Sequence, residues 1–160
     1  MKKRHFCWLF FSLLTACGFH LRGMVDMPPW LNNVALVIQN GHLDLGPLLK
    51  ERLQAYNIRV NPLPTQADYL LVIERDSKQQ QITNVGASTA PRQYLLIYDL
   101  QFTLLGPKGK VIIPSSNISV TRQLTVNNDR ILGSDAEEIL LASEMRREAV
   151  MQTINRLSRK

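Results

Sequence analysis

The sequence predicts an α/β fold, a two-layer sandwich in which two helices pack on a mixed sheet of about four strands. Three observations predict it. The elements occur in the order strand, helix, strand, strand, strand, helix; one long segment alternates apolar and polar residues; and an amphipathic helix ends the chain. A strand–helix–strand unit pairs its strands in parallel, whereas strands joined by tight turns pair antiparallel. The sheet is therefore expected to be mixed.

The first strand and the first helix are predicted from local signals. Residues 33–39 are rich in β-branched and other apolar side chains, and they end at Asn40-Gly41, which is typical of a turn. Gly46-Pro47 then opens a helix, because a proline in the first turn lacks only an N–H that has no partner there. The apolar face of this helix is formed by Leu45, Leu48, Leu49, Leu53 and Tyr56.

The middle of the chain is predicted to be β structure. Residues 58–64 form a short extended piece broken by two prolines, and residues 69–75 form a strand with an extension through Val85. After a loop over 86–91, apolar and polar residues alternate, which predicts a strand with one buried side. The apolar row of this strand is Tyr94, Leu96, Tyr98, Leu100, Phe102 and Leu104.

A hairpin and a long helix complete the predicted domain. The turn at 106–109 leads into a strand over 111–126, in which Pro114 predicts a bulge or an edge position. Ser134 and Glu137 have the spacing of a capping box at the start of the last helix. The apolar side of that helix is formed by Ala136, Ile139, Leu140, Ala149, Val150, Ile154 and Leu157.

The N-terminus has the organisation of a secretory signal peptide. Three basic residues at 2–4 precede an apolar run that is too short to span a bilayer, which needs about 20 residues. Leu-Thr-Ala-Cys at 14–17 resembles the lipobox of bacterial lipoproteins. The resemblance implies that residues 1–16 are removed, that Cys17 is acylated, and that Gly18 directs the protein to the outer membrane. The alternative is a secreted protein in which Cys17 lies near the cleavage site by chance.

This organisation leaves residues 17–30 as a lipidated leader and residues 31–160 as a single domain. Cys7 leaves with the signal peptide and Cys17 carries lipid, so no thiol is left for a disulfide, a nucleophile or a metal site. The processed chain of about 144 residues is long enough for one hydrophobic core and too short for two.

Basic residues are concentrated in one part of the chain. The formal net charge of +6 falls to +3 when the basic residues of the signal peptide are removed. The excess lies within 84–130, whose basic residues are Arg92, Lys108, Lys110, Arg122 and Arg130. A cationic surface attracts polyanions, and guanidinium groups match phosphate well; the alternative is that these side chains are simply solvated. Export from the cytoplasm argues against nucleic acid as the polyanion.

Two arginines interrupt apolar rows. Arg122 shares its strand face with Ile118, Val120 and Leu124, so it either pairs with an acidic neighbour or faces an anionic ligand. Arg147 falls within the apolar sector of the last helix. Its long side chain is expected to extend outward to water, the alternative being a contact site.

The sequence contains no pattern that indicates catalysis. The nucleophile elbow, the P-loop and the zinc-protease motif are missing. The histidines outside the signal peptide, His20 and His42, have no metal-ligand spacing, and Asp99 on the polar side of its strand is typical of a solvated carboxylate. The chain is therefore expected not to be an enzyme and to need neither a metal nor a cofactor.

The start of the processed chain, CGFHLRG at 17–23, resembles the LptE family of lipopolysaccharide-assembly lipoproteins of the outer membrane. The likeness continues at 67–69, at the strand from Tyr94 and at 144–147. It implies a helix pair on a sheet, attachment to the periplasmic side of the outer membrane, and a role as plug and assembly partner of the LptD β-barrel in lipopolysaccharide transport. It also implies lipopolysaccharide binding through basic residues, for which this chain offers Arg92, Arg122, Lys108, Lys110 and Arg130.

Two other functions remain open at this point. One is a stand-alone periplasmic lipoprotein that binds an anionic envelope polymer such as peptidoglycan. The other is a lipid-anchored hydrolase, which would need a cleft with convergent polar groups. Co-purification with a large β-barrel would favour the transport role over the stand-alone one.

Overall fold

A computed structural model describes residues 26–85, 91–126 and 131–159 of the chain. Within them, two helices pack on a mixed sheet, so the predicted two-layer α/β sandwich is confirmed. The sheet has five strands instead of about four. The additional strand is Arg59–Asn61, which lies in the short extended piece and pairs in parallel with the first strand.

Five strands and two helices follow one another along the chain. They are β1 (Asn33–Ile38), α1 (Leu45–Ala55), β2 (Arg59–Asn61), β3 (Tyr69–Val85), β4 (Pro91–Leu105), β5 (Val111–Thr125) and α2 (Ile131–Ser158). The order across the sheet is β2-β1-β3-β4-β5. β1 is parallel to both β2 and β3, whereas β3 pairs antiparallel with β4 and β4 pairs antiparallel with β5.

The sheet is elongated, and its two ends differ. One end, which we call the Asn33 end, contains the starts of β1, β3 and β5 and the end of β4. The opposite end, which we call the Val85 end, contains the end of β3, the start of β4 and the end of β5. The 17 residues of β3 span about 55 Å at about 3.3 Å per residue. Residues at the two ends therefore cannot contribute to one small site.

Both helices cover the same face of the sheet. The apolar row predicted for β4 is confirmed, since Leu96, Tyr98, Leu100, Phe102 and Leu104 are all buried. α1 contributes Leu45, Leu49 and Leu53, and α2 contributes Met145, Ala149, Val150, Ile154 and Leu157. Burial of these side chains is the main source of stability, because each one removes a large apolar area from water.

The first turns of α2 differ from the prediction. The helix begins at Ile131, before Ser134, so the capping-box position of its start is wrong. Ala136, Ile139 and Leu140 were expected to be buried but are exposed, with 72% of Ile139 accessible. The reason lies in β3, where polar residues rather than apolar ones face this part of α2: Asp76, Lys78 and Gln80 lie opposite buried residues of β4. The first turns of α2 therefore have no apolar surface to cover.

Pro114 lies where a strand tolerates a residue without a backbone N–H. It lies in β5, which is an edge strand among the described residues, and the β4–β5 register shifts between Phe102 and Leu104, directly opposite this region. Both predicted explanations, an edge and an irregularity, are therefore confirmed. A proline at this point removes no hydrogen bond that the ladder needs.

The second face of the sheet carries polar side chains. Glu74 accepts hydrogen bonds from the hydroxyls of Ser115, at 2.6 Å, and Thr103. The bond from Ser115 and, to a smaller extent, the bond from Thr103 lower the pKa of the Glu74 carboxyl below its usual value. Asn117 donates to Asp99 on the same face. In the described part of the chain no helix covers this face, so it presents hydroxyl, amide and carboxylate groups to its surroundings.

Phe102→Ala tests the core. Phe102 is completely buried under the helices, and truncation leaves a cavity that the neighbouring side chains only partly fill. We expect the free energy of unfolding to fall by about 3–5 kcal/mol in chemical denaturation. Leu140→Ala, at a position 54% exposed in α2, is the control and should change it by less than about 0.5 kcal/mol. Similar losses in both variants would contradict this placement of the core.

Candidate functional site

The structure separates the basic residues that the sequence grouped together. Lys108 and Lys110 are exposed in the turn at the Asn33 end, whereas Arg122 lies opposite Leu96 toward the Val85 end. Twelve positions of one strand, about 40 Å, separate Lys110 from Arg122. These three side chains therefore cannot form one patch. The backbone of Arg92 belongs to β4 near the Val85 end, but its side chain, Arg130 and Cys17 lie outside the described residues.

Arg122 has an acidic partner. Its Nη2 forms an ion pair with Oε2 of Glu148 on α2, and Nη1 donates to the carbonyl of Thr121. Of the two interpretations left open by the sequence, pairing is the one that the structure shows. Both side chains remain about 40% exposed, so a pair of this kind contributes roughly 0–1 kcal/mol. An anionic ligand could therefore compete for Arg122 at little cost in stability.

Arg147 and its neighbour Arg146 point in different directions. Arg147 is exposed and donates to the hydroxyl of Ser143 at 3.0 Å, so the expected extension to solvent is confirmed. Arg146, by contrast, is only 9% exposed and is the buried charged side chain of the described residues. Sequence reasoning missed it. The signal was available, because Ala142, Ala149 and Val150 lie three or four positions away on the same helix face.

The guanidinium of Arg146 is incompletely satisfied. Nη1 lies 3.6 Å from a carboxylate oxygen of Asp44, which is a long ion pair, and the guanidinium carbon lies 6.0 Å from the centre of the Tyr98 ring. Nε is buried and has no hydrogen-bond acceptor among the described residues. Buried donors without acceptors are rare and costly in folded proteins. A ligand that offers an acceptor to Nε would therefore complete the hydrogen bonding of this guanidinium.

Arg146 borders a cleft of about 410 Å³ between the two layers. The loop before α1 and the middle of α2 form its walls, and polar residues of β3 with one tyrosine of β4 form its base. His42 donates its backbone N–H to Asp76 at 2.9 Å, and Lys78 pairs with Glu138 of α2. The lining residues are His42, Asp44, Asp76, Lys78, Tyr98, Ile139, Ala142, Ser143 and Arg146.

Tyr98 supplies a second incompletely satisfied group at the base of the cleft. Its hydroxyl is buried and has no hydrogen-bond partner among the described residues. Burial raises the pKa of Tyr98 well above its usual value, and the negative charge of Asp76 raises it further, although Arg146 opposes this. The Asp76 carboxylate is close enough to act on the pKa but does not accept the proton in hydrogen-bonding geometry. The hydroxyl therefore stays protonated and is able to donate.

The cleft combines polar and apolar chemistry. Arg146 and Tyr98 provide donors at its base, Asp44 and Asp76 provide carboxylates, and Ile139 is exposed at its edge. Leu43, which lies between two lining residues, is 92% exposed. These groups suit an oxygen-rich ligand that also has an apolar part. Among the described residues, no group of three or more potential metal ligands converges, and no helix is long and apolar enough to cross a membrane.

Comparison with protein families gives a match that covers most of the described chain. The model of the LptE family, described as lipopolysaccharide-assembly, matches residues 31–157. Relatives named LPS-assembly lipoprotein LptE include one from Pectobacterium atrosepticum, 29% identical over 147 residues, covering 91% of this chain and 79% of the relative. Another, from Yersinia enterocolitica, is also 29% identical and covers 91% of this chain and 70% of the relative.

Solved structures show the same fold. A lipoprotein B from Nitrosomonas europaea superposes with a TM-score of 0.73 at 24% identity, covering 88% of this chain and 90% of that one. A minor lipoprotein from Acinetobacter baumannii gives a TM-score of 0.66 at 18% identity, covering 80% and 91% of the two chains. At these identities the likeness concerns the fold.

Arg146→Met tests whether the buried guanidinium serves stability. Its partner Asp44 is 68% exposed, so the substitution leaves no buried charge unpaired, and methionine fills a similar volume. We expect the free energy of unfolding to stay unchanged or to rise by up to about 2 kcal/mol in chemical denaturation. Arg122→Met at the exposed pair is the matched control and should change it by about 1 kcal/mol or less. A loss above about 2 kcal/mol in Arg146→Met alone would show that the guanidinium is structural.

Proposed function

The chain belongs to the LptE family, and on that basis we propose that it is a non-catalytic outer-membrane lipoprotein that acts in lipopolysaccharide assembly. The observation that carries the proposal is the match of the family model to residues 31–157, which include the five described strands, α1 and all of α2 except its last residue. The relatives named for this role support it, since each match covers 91% of this chain. The finer parts of the proposal concern the anchor, the barrel partner and the ligand.

We propose that Cys17 carries the lipid anchor and that residues 1–16 are removed as a signal peptide, which places the domain on the periplasmic side of the outer membrane. The leader connects Cys17 to β1, whose first residue lies at the Asn33 end. About 16 residues reach at most about 55 Å when fully extended. The anchor therefore restrains the Asn33 end most directly, and the Val85 end is the part of the domain that lies farthest along the sheet.

We propose further that the domain is the plug and assembly partner of an LptD-type β-barrel. The length of the sheet supports this, because about 55 Å exceeds the roughly 30 Å hydrocarbon core that such a barrel crosses. The second face of the sheet supports it too. Its Ser, Thr, Asn and Gln side chains, such as Ser115, Asn117 and Thr121, suit the polar interior of a large barrel.

Lipopolysaccharide binding is proposed to use basic residues in more than one place. Arg92, Arg122 and Arg130 remain candidates, as do Lys108 and Lys110 at the other end of the sheet. We add Arg146, because its Nε has no acceptor and because Leu43 and Ile139 give its cleft an apolar margin suited to an amphiphile. Asp44 occupies the position beside Arg146 but is exposed, so a phosphate could displace its carboxylate without burying it.

Isolation of the lipidated chain from its native membrane in mild detergent tests the partner. A plug that is enclosed by a barrel should co-purify with one large β-barrel protein in a 1:1 ratio, measured by mass spectrometry and quantitative staining. Because the contact would be extensive, the ratio should persist at high salt, which screens surface charges. Recovery as a lone monomer under the same conditions would contradict the plug and favour the stand-alone lipoprotein.

Arg146→Gln tests the ligand. Loss of a charge-assisted hydrogen bond to phosphate should weaken lipopolysaccharide binding by about tenfold in a direct binding assay at low salt. Arg147→Gln removes the same charge from the neighbouring exposed position and should leave affinity within about twofold.

The same assay includes Arg92→Ala with Arg122→Ala, which should also weaken binding if these residues meet phosphate. Dephosphorylated lipopolysaccharide should bind the unmodified protein and Arg146→Gln equally. Equal affinity of all variants for the phosphorylated form across a salt series would contradict a role for these arginines.

A further inference from the structure

Beyond Pro114 and the register shift beside it, β5 is an edge strand that carries few of the features that normally prevent edge pairing. Among the described residues it pairs only with β4, so its outer backbone N–H and C=O groups have no strand partner. Natural edges are usually protected by lysine, proline, inward charges or a covering element. From Ser115 to Thr125 the single charged residue is Arg122, and its guanidinium is engaged by Glu148. Over this stretch, the side chains on the sheet face away from the helices are those of Ser115, Asn117, Ser119, Thr121, Gln123 and Thr125.

A polar pocket of about 260 Å³ lies beside this edge, between β5 and the C-terminal part of α2. None of its lining residues is acidic, and the only apolar one is Ile118. Two of its amides already donate within the domain: Gln152 donates to Glu148 at 3.2 Å, and Asn117 donates to Asp99 at 3.3 Å. The lining residues are Asn117, Ile118, Ser119, Gln152, Asn155, Arg156 and Arg159.

Two requirements of this pocket are unmet within the described chain. The side-chain oxygen of Asn155 is buried and accepts no hydrogen bond. Arg156 and Arg159 are exposed and form no ion pair with a described carboxylate. A complete ligand must therefore offer a donor to Asn155 and a negative charge to the two arginines. A phosphate could meet both needs through its charge and its O–H, but it cannot pair with the open backbone edge of β5 beside the pocket, whereas a peptide with an acidic side chain can.

We propose that the outer edge of β5 binds an extended strand of a partner protein, with an acidic side chain of that strand seated at Arg156 and Arg159. Main-chain hydrogen bonds to β5 would provide affinity, and the pocket would select the acidic residue and fix the register. The partner strand belongs to the barrel protein, in a loop or terminal segment that enters the lumen, because the wall strands of a closed barrel are paired on both sides and have no free edge; this identification rests on the proposed function, whereas the edge and the pocket do not.

A second copy of this chain fits the edge less well. Two β5 edges could pair with each other, but β5 contains no acidic residue between Val111 and Thr125. The strand of a second copy would therefore bring no carboxylate to Arg156 and Arg159 of the first. Charge complementarity favours a different polypeptide, one with an acidic residue in an otherwise polar strand.

Site-specific photocrosslinking in the native membrane tests the inference. p-Benzoylphenylalanine is introduced singly at Asn117, Ser119 and Thr121 of the full-length chain, and the crosslinked peptides are identified by mass spectrometry. Strand addition predicts a ladder: each two-residue step along β5 should move the crosslink by two residues along one strand of the partner. An acidic residue of that strand should lie near Ser119. Gln93, exposed in β4 and paired on both sides with β3 and β5, is the control position and should give no crosslink that continues the ladder.

Charge variants test the pocket in the same experiment. Arg156→Gln with Arg159→Gln should lower the crosslink yield at Ser119 by about tenfold, because two charge-assisted contacts are lost. Arg147→Gln, on the same helix and also exposed, should leave the yield unchanged. Circular dichroism on all variants confirms that exposed substitutions leave the fold intact.

The outcomes separate this inference from the proposed function. A ladder on a loop or terminal segment of a barrel protein supports both. A ladder on a protein that is not a barrel supports the open edge and overturns the barrel role. Co-purification of a barrel without a ladder contradicts strand addition at β5 and leaves the proposed barrel role unchanged. A ladder on a second copy of this chain, or an equal yield after the arginine substitutions, overturns the proposed occupant.

Discussion

A one-residue shift in the β3–β4 register, between Ile73 and Arg75, decides which side chains of β3 face the helices. Before the shift, alternate residues of β3 face the helices and are buried, as Leu71 and Ile73 are. After it, the extra residue moves Asp76 and Lys78 to the helix side, where Arg75 and Ser77 would otherwise lie. Along β3, the half toward the Asn33 end therefore adds apolar side chains to the core, and the other half places charged groups opposite the buried residues of β4.

This division accounts for the features that set the domain apart from a simple sandwich. The middle of α2 crosses the polar half of β3, so Arg146 meets Tyr98 and a carboxylate rather than a packed apolar surface. The first turns of α2 find no apolar partner, which leaves Ile139 and Leu140 exposed. A buried guanidinium whose counter-ion is exposed contributes little to folding.

The sequence predicted those parts of the fold that depend on local pattern. The buried row of β4 alternates cleanly because one face is covered along its whole length, and the hairpin at 106–109 follows from its turn residues. The sequence did not predict features that depend on contacts between residues far apart along the chain. The three-residue β2 exists because β1 lies beside it, and Arg122 is paired because α2 brings Glu148 across β5. The burial of Arg146 was not predicted, because a small error in the assumed rotation of the helix places the neighbouring Arg147 on the buried side instead.

The placement of both helices on one face has a consequence for what this fold is able to do. One layer of helices satisfies the core but leaves a polar sheet face and the edge of β5 uncovered in the described chain. A domain that is enclosed by a partner needs contact surfaces distributed over several sides. The uncharged Ser, Thr, Asn and Gln side chains of β5 are suited to that role, since they can be desolvated against polar backbone far more cheaply than charged groups.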